Sequence, residues 1–273
     1  MNFLIVVEIA AGGLLALWVV QSIALKLVGE PLALPLRYTT EAPSVRYATI
    51  AMTYVIWLAI LIGTPLAVGV SPVDAAKAAF SLPVPWRGIA IAFAVTFAPA
   101  LVIYPVYVRL GWFRLGLQYD QKTRRAKLLR RFIGPLPLAT LEEGVFRGVI
   151  LEELLQSLPH SQAYTALAIV VSSVVFSAVH FIKRGYPGKP VWQPAFGLFI
   201  VGCLCGLAYV LGGRTLWLPI VVHATLVFVC QTVRLYGVYL GPPWLVGYEH
   251  WPQCGLIGSF YVLSTCIALA MLI

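Results

Sequence analysis

The amino-acid sequence predicts an all-α protein, a polytopic transmembrane helix bundle of about eight spans. Three observations carry that prediction. Of the 273 residues, 60% are apolar and 11% charged, against about 45–50% and about 25% in an ordinary soluble domain. The apolar residues gather into runs near the ~20 residues that a spanning helix needs. The basic residues gather in the short stretches between those runs, as membrane topology requires. A surface with half the usual charge would not hold such a chain in water. A soluble enzyme, a disordered tail and a nucleic-acid binder are therefore excluded, the net charge of +9 notwithstanding.

The expected spans are 3–25, 47–70, 88–108, 136–156, 161–182, 195–212, 217–234 and 254–273. The first lacks a basic leader and a cleavage site, so it is expected to remain as a span and not to be removed as a signal peptide. The second and third contain no charged residue. Segment 136–156 is the odd one, because it carries Glu142, Glu143, Arg147, Glu152 and Glu153. No lipid-facing helix tolerates that set, so this segment must be shielded by others, line a wet cavity, or emerge at its end. Glu152 and Glu153 are expected at such a solvated end. The remaining four spans are apolar apart from isolated polar residues. With no linker or repeat visible, 1–273 reads as one integral membrane domain, with 135–235 as its chemical core.

Lysine and arginine placement sets orientation. One side carries Lys77, Arg87 and Arg214. The other carries 15 basic residues, including Lys26, Arg37, Arg46, eight between Arg109 and Arg131, Lys183, Arg184, Lys189 and Arg234. The positive-inside rule puts that richer side in the cytoplasm and both termini outside. Segment 109–131 mixes basic and aromatic residues and reads as an interfacial stretch on anionic headgroups; the functional alternative is that it flanks the entrance to a site and steers a substrate. Membrane lipids are thus expected partners, and nucleic acid is not. The five cysteines show no paired spacing with histidine, so neither a disulfide framework nor a zinc knuckle is expected.

Scarcity locates the chemistry. The chain has ten carboxylates and four histidines. Glu142, Glu143, His180 and His223 fall inside apolar spans, where an ionisable side chain costs about 2.5–3.5 kcal/mol on insertion scales. Glu143 and Arg147 are i and i+4 and share a helix face, which suits an ion pair. Glu142 points about 100° away from Glu143 and can face a cavity. A carboxylate in a poorly hydrated cavity is a better general base than one in water. Ser173, Ser177 and His180 form a polar seam on one helix stripe, which serves a site or joins helices by hydrogen bonds. Helix rise places Glu142 roughly 10 Å from residue 135, His223 roughly 16 Å from Arg234 and His180 a few Å from Lys183. All three are reached from the basic side, so they can converge in a cavity opening toward the cytoplasm.

These residues resemble the CAAX protease and bacteriocin-processing family of intramembrane glutamate proteases, which includes the CAAX prenyl endopeptidases. The family pattern is E-E-x-x-x-R, F-x-x-x-H and H-x-x-x-(Asn or Asp) on three core helices. The matching residues here are Glu142, Glu143 and Arg147, then Phe176 and His180, then His223. The resemblance covers roughly 135–235. It implies that Glu142 activates water with His180 as partner, that His223 stabilises the oxyanion, and that Glu143 and Arg147 support them. It also implies an endopeptidase without cofactor, acting on a peptide or protein at the membrane, with its C-terminal segment as one candidate cleavage site. The departure is Val227, where the family has Asn or Asp; the chain's sole asparagine is Asn2, and its aspartates are Asp74 and Asp120. Two alternatives stand beside this reading. Two histidines and a glutamate of this set can be written as a zinc site with water as fourth ligand. A non-catalytic membrane relative, of immunity, scaffold or transporter type, would carry the same residues as a proton relay or as packing.

Overall fold

The computed structural model describes residues 3–27, 29, 43–81, 83–116, 119–183, 192–247 and 254–273. Arg37, Arg184 and Lys189, three of the residues that set the charge asymmetry, lie outside the described residues. The chain folds as an all-α membrane bundle with, among the described residues, one small two-stranded sheet. In order, the elements are α1 (Phe3–Leu27), α2 (Pro43–Ala67), α3 (Pro72–Ala79), α4 (Trp86–Arg109), β1 (Phe113–Leu115), α5 (Gln121–Ile133) and α6 (Pro135–Glu143). A π-helical segment, Gly144–Leu151, continues α6 into α7 (Glu152–Ser157). Then come α8 (Gln162–Lys183), α9 (Trp192–Leu211), α10 (Trp217–Tyr236), β2 (Gly237–Tyr239), α11 (Pro243–Val246) and α12 (Leu256–Leu272).

Every expected span falls on helix, but fewer than eight cross by length and composition. Among the described residues, four helices are long and apolar enough: α4, α8 as far as His180, α9 and α10. A fifth is counted if α2 and α3, bent 108° to each other, form one broken span. The α12 helix has 17 residues and falls short of the usual length. Segment 136–156 is no single helix but three pieces, and its charges alone disqualify it as a lipid-facing span. The sharp α2–α3 bend has a local cause. Gly69 takes φ +75°, the left-handed conformation that glycine adopts freely, and Ser71 with Pro72 then starts α3, the Ser71 hydroxyl accepting from the Val73 amide.

The core gathers around the odd segment. Trp57 of α2 meets Phe146 edge-on at 5.5 Å, and Phe146 meets Phe176 of α8 at 5.0 Å. All three side chains are fully buried, together with Leu204 of α9, Leu218 of α10 and Leu269 of α12. Helices α8 and α9 approach closely because α9 offers Gly202 and Gly206, one turn apart. A Cβ on Gly202 would lie 2.8 Å from the Ser173 Cβ, and one on Gly206 would lie 2.9 Å from Ile169. Small residues spaced this way let membrane helices pack backbone to backbone. Gly202→Val is therefore expected to destabilise the bundle by about 1–3 kcal/mol through overpacking. The control is Gly63→Ala, whose added Cβ meets nothing within 4 Å. Thermal unfolding in detergent compares the two; equal midpoints would contradict the close-packing account.

One region adds to the sequence expectation and one departs from it. The basic stretch 109–131 holds regular structure. It holds β1, paired antiparallel with β2 in the register Phe113 with Tyr239, and then α5. The Asp120 carboxylate caps α5 by accepting from the Thr123 amide and hydroxyl, bonds that hold its pKa below the usual carboxylate range. Glu153 is not at a solvated end: it is fully buried, with Ser157 donating to it. Its neighbour Glu152 is half-buried and paired with Arg214, and it accepts from Tyr209 at 2.9 Å. Folding α7 back against α1 and α8 covers this end.

Candidate active site

Glu142 and Glu143 close α6, and the π-helical segment starts directly after them. A π register widens the helix by one residue per turn and often marks functional positions. Here the buried hydroxyl of Ser172 donates to the Phe146 carbonyl at 2.9 Å, so α8 satisfies a backbone acceptor of the wide turn. The adjacent residue, Arg147, points into the bundle and is fully buried.

Arg147 has three partners. Its Nη1 lies 3.1 Å from Oε2 of Glu143, and its Nη2 donates to the Gly202 carbonyl of α9 at 2.8 Å. The guanidinium also sits 4.8 Å from the Phe176 ring centroid, a cation–π arrangement. The expected i,i+4 pair is thus present and wholly desolvated. Glu143 does more than balance Arg147, because its Oε1 lies 2.6 Å from Nδ1 of His223. A carboxylate accepts only, so Nδ1 carries the proton and the other ring nitrogen, Nε2, is turned away from Glu143. Glu143 thereby links α10 to α6 and fixes the orientation of the His223 ring.

Glu142, also buried, faces the other way, as its 100° offset requires. Its Oε2 lies 3.7 Å from Nε2 of His223 and 3.8 Å from Nε2 of His180. His180 is oriented by its own helix: Nδ1 lies 2.8 Å from the Phe176 carbonyl and must be the donor there. Phe176 packs against both rings, 4.5 Å from His180 and 5.9 Å from His223. The result is one carboxylate oxygen approached by two imidazole nitrogens, each ring held from behind. All five residues predicted from sequence, Glu142, Glu143, Arg147, His180 and His223, meet in this one cluster.

The serine seam does not belong to it. Ser173 donates to Ile169 within α8, and Ser177 donates to the Ala195 carbonyl of α9 at 2.8 Å. Ser177 thus joins helices, the plainer of the two expected uses, while Ser173 bonds within its own helix. Val227, one turn beyond His223 on α10, is half-buried and its side chain offers no hydrogen bond.

Two participants had no sequence signal as such: the Gly202 carbonyl receives Arg147, and the fully buried Cys205 thiol adjoins Glu143 and His223. The Phe176 ring, part of the second motif, backs both histidines. Donor atoms of Glu143, Cys205 and His223 lie within 4.8 Å of one another, a ligand trio different from the expected zinc set. Its chemistry is unfavourable for a cation, since Arg147 already neutralises the same carboxylate at 3.1 Å.

Comparison with known proteins adds the family. Residues 126–229 match the family described as type II CAAX prenyl endopeptidase Rce1-like, a protease family. No curated protein and no solved structure matches the chain significantly. The matched stretch runs from α5 to α10 and contains every residue of the cluster. Over this stretch the chain is similar to the CAAX protease and bacteriocin-processing family, the resemblance that the motifs carry.

Proposed function

We propose that this protein is an intramembrane endopeptidase of the glutamate type, acting without a metal on a peptide or protein held at the membrane. The observation that supports it is the approach of His180 and His223 to the same oxygen of Glu142, at 3.8 and 3.7 Å, from two further helices. Those separations are too long for direct hydrogen bonds and suit a shared water. In the proposed reaction Glu142 takes a proton from that water, and the hydroxide attacks the scissile carbonyl. His223 donates from Nε2 to the developing oxyanion, while Glu143 at its other nitrogen stabilises the imidazolium that this requires. Collapse breaks the C–N bond, and the proton held on Glu142 passes to the leaving amine. His180 orients the water. Residues 135–235 form the catalytic core of a single domain, and the cavity opens on the basic, cytoplasmic side.

The first experiment compares substrate-derived peptides that accumulate in cells carrying the protein with those in cells carrying Glu142→Gln. A set of cleavage products present only with the intact glutamate supports the reading; identical peptide profiles oppose it.

A zinc-dependent variant is the second reading, favoured by the convergence of Nε2 of His180 and Nε2 of His223 on one oxygen of Glu142. The metal-free mechanism expects purified active protein to contain no stoichiometric zinc and strong chelators to leave cleavage unchanged. One tightly held zinc, lost together with activity and restored with it, would shift the assignment to this second reading.

Val227 supplies a further test. Position 227 shares a helix face with His223 and lies about 6 Å along the axis. Losing one oxyanion donor typically lowers kcat about 10²–10³-fold without abolishing it. Val227→Asn is therefore expected to be tolerated and to raise turnover modestly. If the wild type cleaves nothing and Val227→Asn creates activity, the protein is a non-catalytic relative.

A further inference from the structure

Helix α5 carries six basic residues, Lys122, Arg124, Arg125, Lys127, Arg130 and Arg131, and no acidic one. They divide between two faces. Arg124, Lys127 and Arg131 turn toward the protein: Arg131 donates to the Gln231 carbonyl of α10, Arg124 lies 6.0 Å from the Tyr236 ring and Lys127 lies 3.5 Å over the Tyr119 ring. The opposite face exposes Lys122, Arg125, Ala126, Leu129, Arg130 and Ile133. This is an apolar strip flanked by cations, and Leu129, Phe132 and Ile133 are each more than half exposed.

The strip is continuous with the surface that faces lipid. Phe132 meets Phe228 of α10 edge-on at 5.4 Å, Phe228 lies against Phe97 of α4, and Phe97 stacks on Phe93. Farther along α4, Leu101 and Val102 are widely exposed. The α5 helix therefore lies where the bilayer-facing surface gives way to a charged one. A nucleic acid would leave Leu129 and Ile133 in water, whereas a bilayer surface takes the apolar strip into its acyl boundary and the flanking cations among anionic phosphates.

The same helix touches two of the three stretches of chain that build the site, α6 and α10. It runs into α6 through Gly134 alone, which keeps helical dihedrals and donates its amide to the Arg130 carbonyl at 2.8 Å. A Cβ at that joint would lie 2.6 Å from that oxygen, so only glycine permits so close a passage. Glu142 follows eight residues later, about 12 Å along the helix. The Arg131–Gln231 bond meanwhile holds α10 two turns beyond His223.

We infer that α5 is a docking surface for the anionic headgroups of the bilayer, and that its seating there governs how α6 and α10 present Glu142 and His223 to each other. This coupling deepens the peptidase reading and rests on it; the docking does not.

The test uses full-length protein in nanodiscs of phosphatidylcholine alone and of phosphatidylcholine mixed with phosphatidylglycerol. Amide hydrogen exchange reports on segments 121–133 and 217–236, and peptide cleavage is followed in parallel. Phosphatidylglycerol is expected to slow exchange across 121–133 several-fold, to slow it in 217–236, and to raise cleavage; high salt should reverse all three. The triple variant Lys122→Gln, Arg125→Gln, Arg130→Gln is expected to behave alike in both discs. Arg131→Gln should keep the slowed exchange at 121–133 but lose the response at 217–236 and in cleavage. Equal exchange at 121–133 in the two lipids overturns the docking surface. Slowing there with no response at 217–236 in the wild type overturns the coupling. Absence of cleavage in every disc overturns the peptidase reading and with it the coupling, and exchange at 121–133 then decides the docking alone.

Discussion

Glu142→Gln is expected to lower peptide cleavage by about 10²–10⁴-fold, the usual contribution of a positioned general base, while leaving the bundle folded. Gln keeps the volume of Glu and its capacity to hydrogen-bond, but it cannot accept the proton of the attacking water. The folded state should survive because Glu142 is not the carboxylate that balances Arg147: that role belongs to Glu143, at 3.1 Å. Replacing a charged group by a neutral amide in a buried position also removes a desolvation cost. The measurement is turnover of a membrane-associated peptide by purified protein in detergent, alongside its unfolding midpoint. Undiminished turnover would eliminate Glu142 as the base and with it the glutamate mechanism.

The cluster that forms the candidate site was legible because membrane insertion makes ionisable residues rare. Glu142, Glu143, Arg147, His180 and His223 stand out in apolar segments, and helix rise alone put them at compatible depths. What periodicity did not reveal was the division of labour around Glu143. An i,i+4 rule finds Arg147 within the helix, but the 2.6 Å contact with His223 depends on how α10 packs against α6. Gly202 and Cys205 come from α9, whose sequence offers only small apolar residues; their place follows from the close α8–α9 approach. The π-helical turn was equally invisible. It depends on a carbonyl of Phe146 being taken up by Ser172, 26 residues away.

Hydropathy located the helices well and their crossings less well. The apolar stretch 47–70 reads as one span, yet Gly69 and the Ser71–Pro72 start break it sharply before α3. Segment 136–156 has the length of a span and more charge than a lipid-facing one carries. Glu153 shows the limit of reasoning from helix ends. Its position near the end of a segment suggested solvent, but packing of α7 closed over it. The basic stretch 109–131 did contain a readable cap, Asp120 followed by Thr123, and that cap starts α5. The pairing of β1 with β2 joins residues more than a hundred positions apart, for which no local pattern exists.

Arg147→Met is expected to reduce stability by about 3–5 kcal/mol, the cost of removing one partner from a buried ion pair. The side chain has no exposed surface, and it supports three groups at once: Glu143, the Gly202 carbonyl and the Phe176 ring. Methionine restores much of the volume, so the effect reports the charge left on Glu143 more than a cavity. That distinction can be read directly, because Glu143→Gln in the Arg147→Met background removes the stranded carboxylate. A neutral pair of similar volume often matches or exceeds a buried ion pair in stability. The double variant is accordingly expected to recover most of the folded yield lost in Arg147→Met. Cleavage should not recover with it, since an amide at position 143 leaves the His223 ring without the carboxylate that orients it and balances its charge. Folded yield and unfolding midpoint in detergent give the first result, and turnover per folded molecule gives the second. If the double variant is as poorly folded as the single one, the pair serves packing geometry and not charge balance; if it cleaves normally, Glu143 has no part in holding His223 for catalysis.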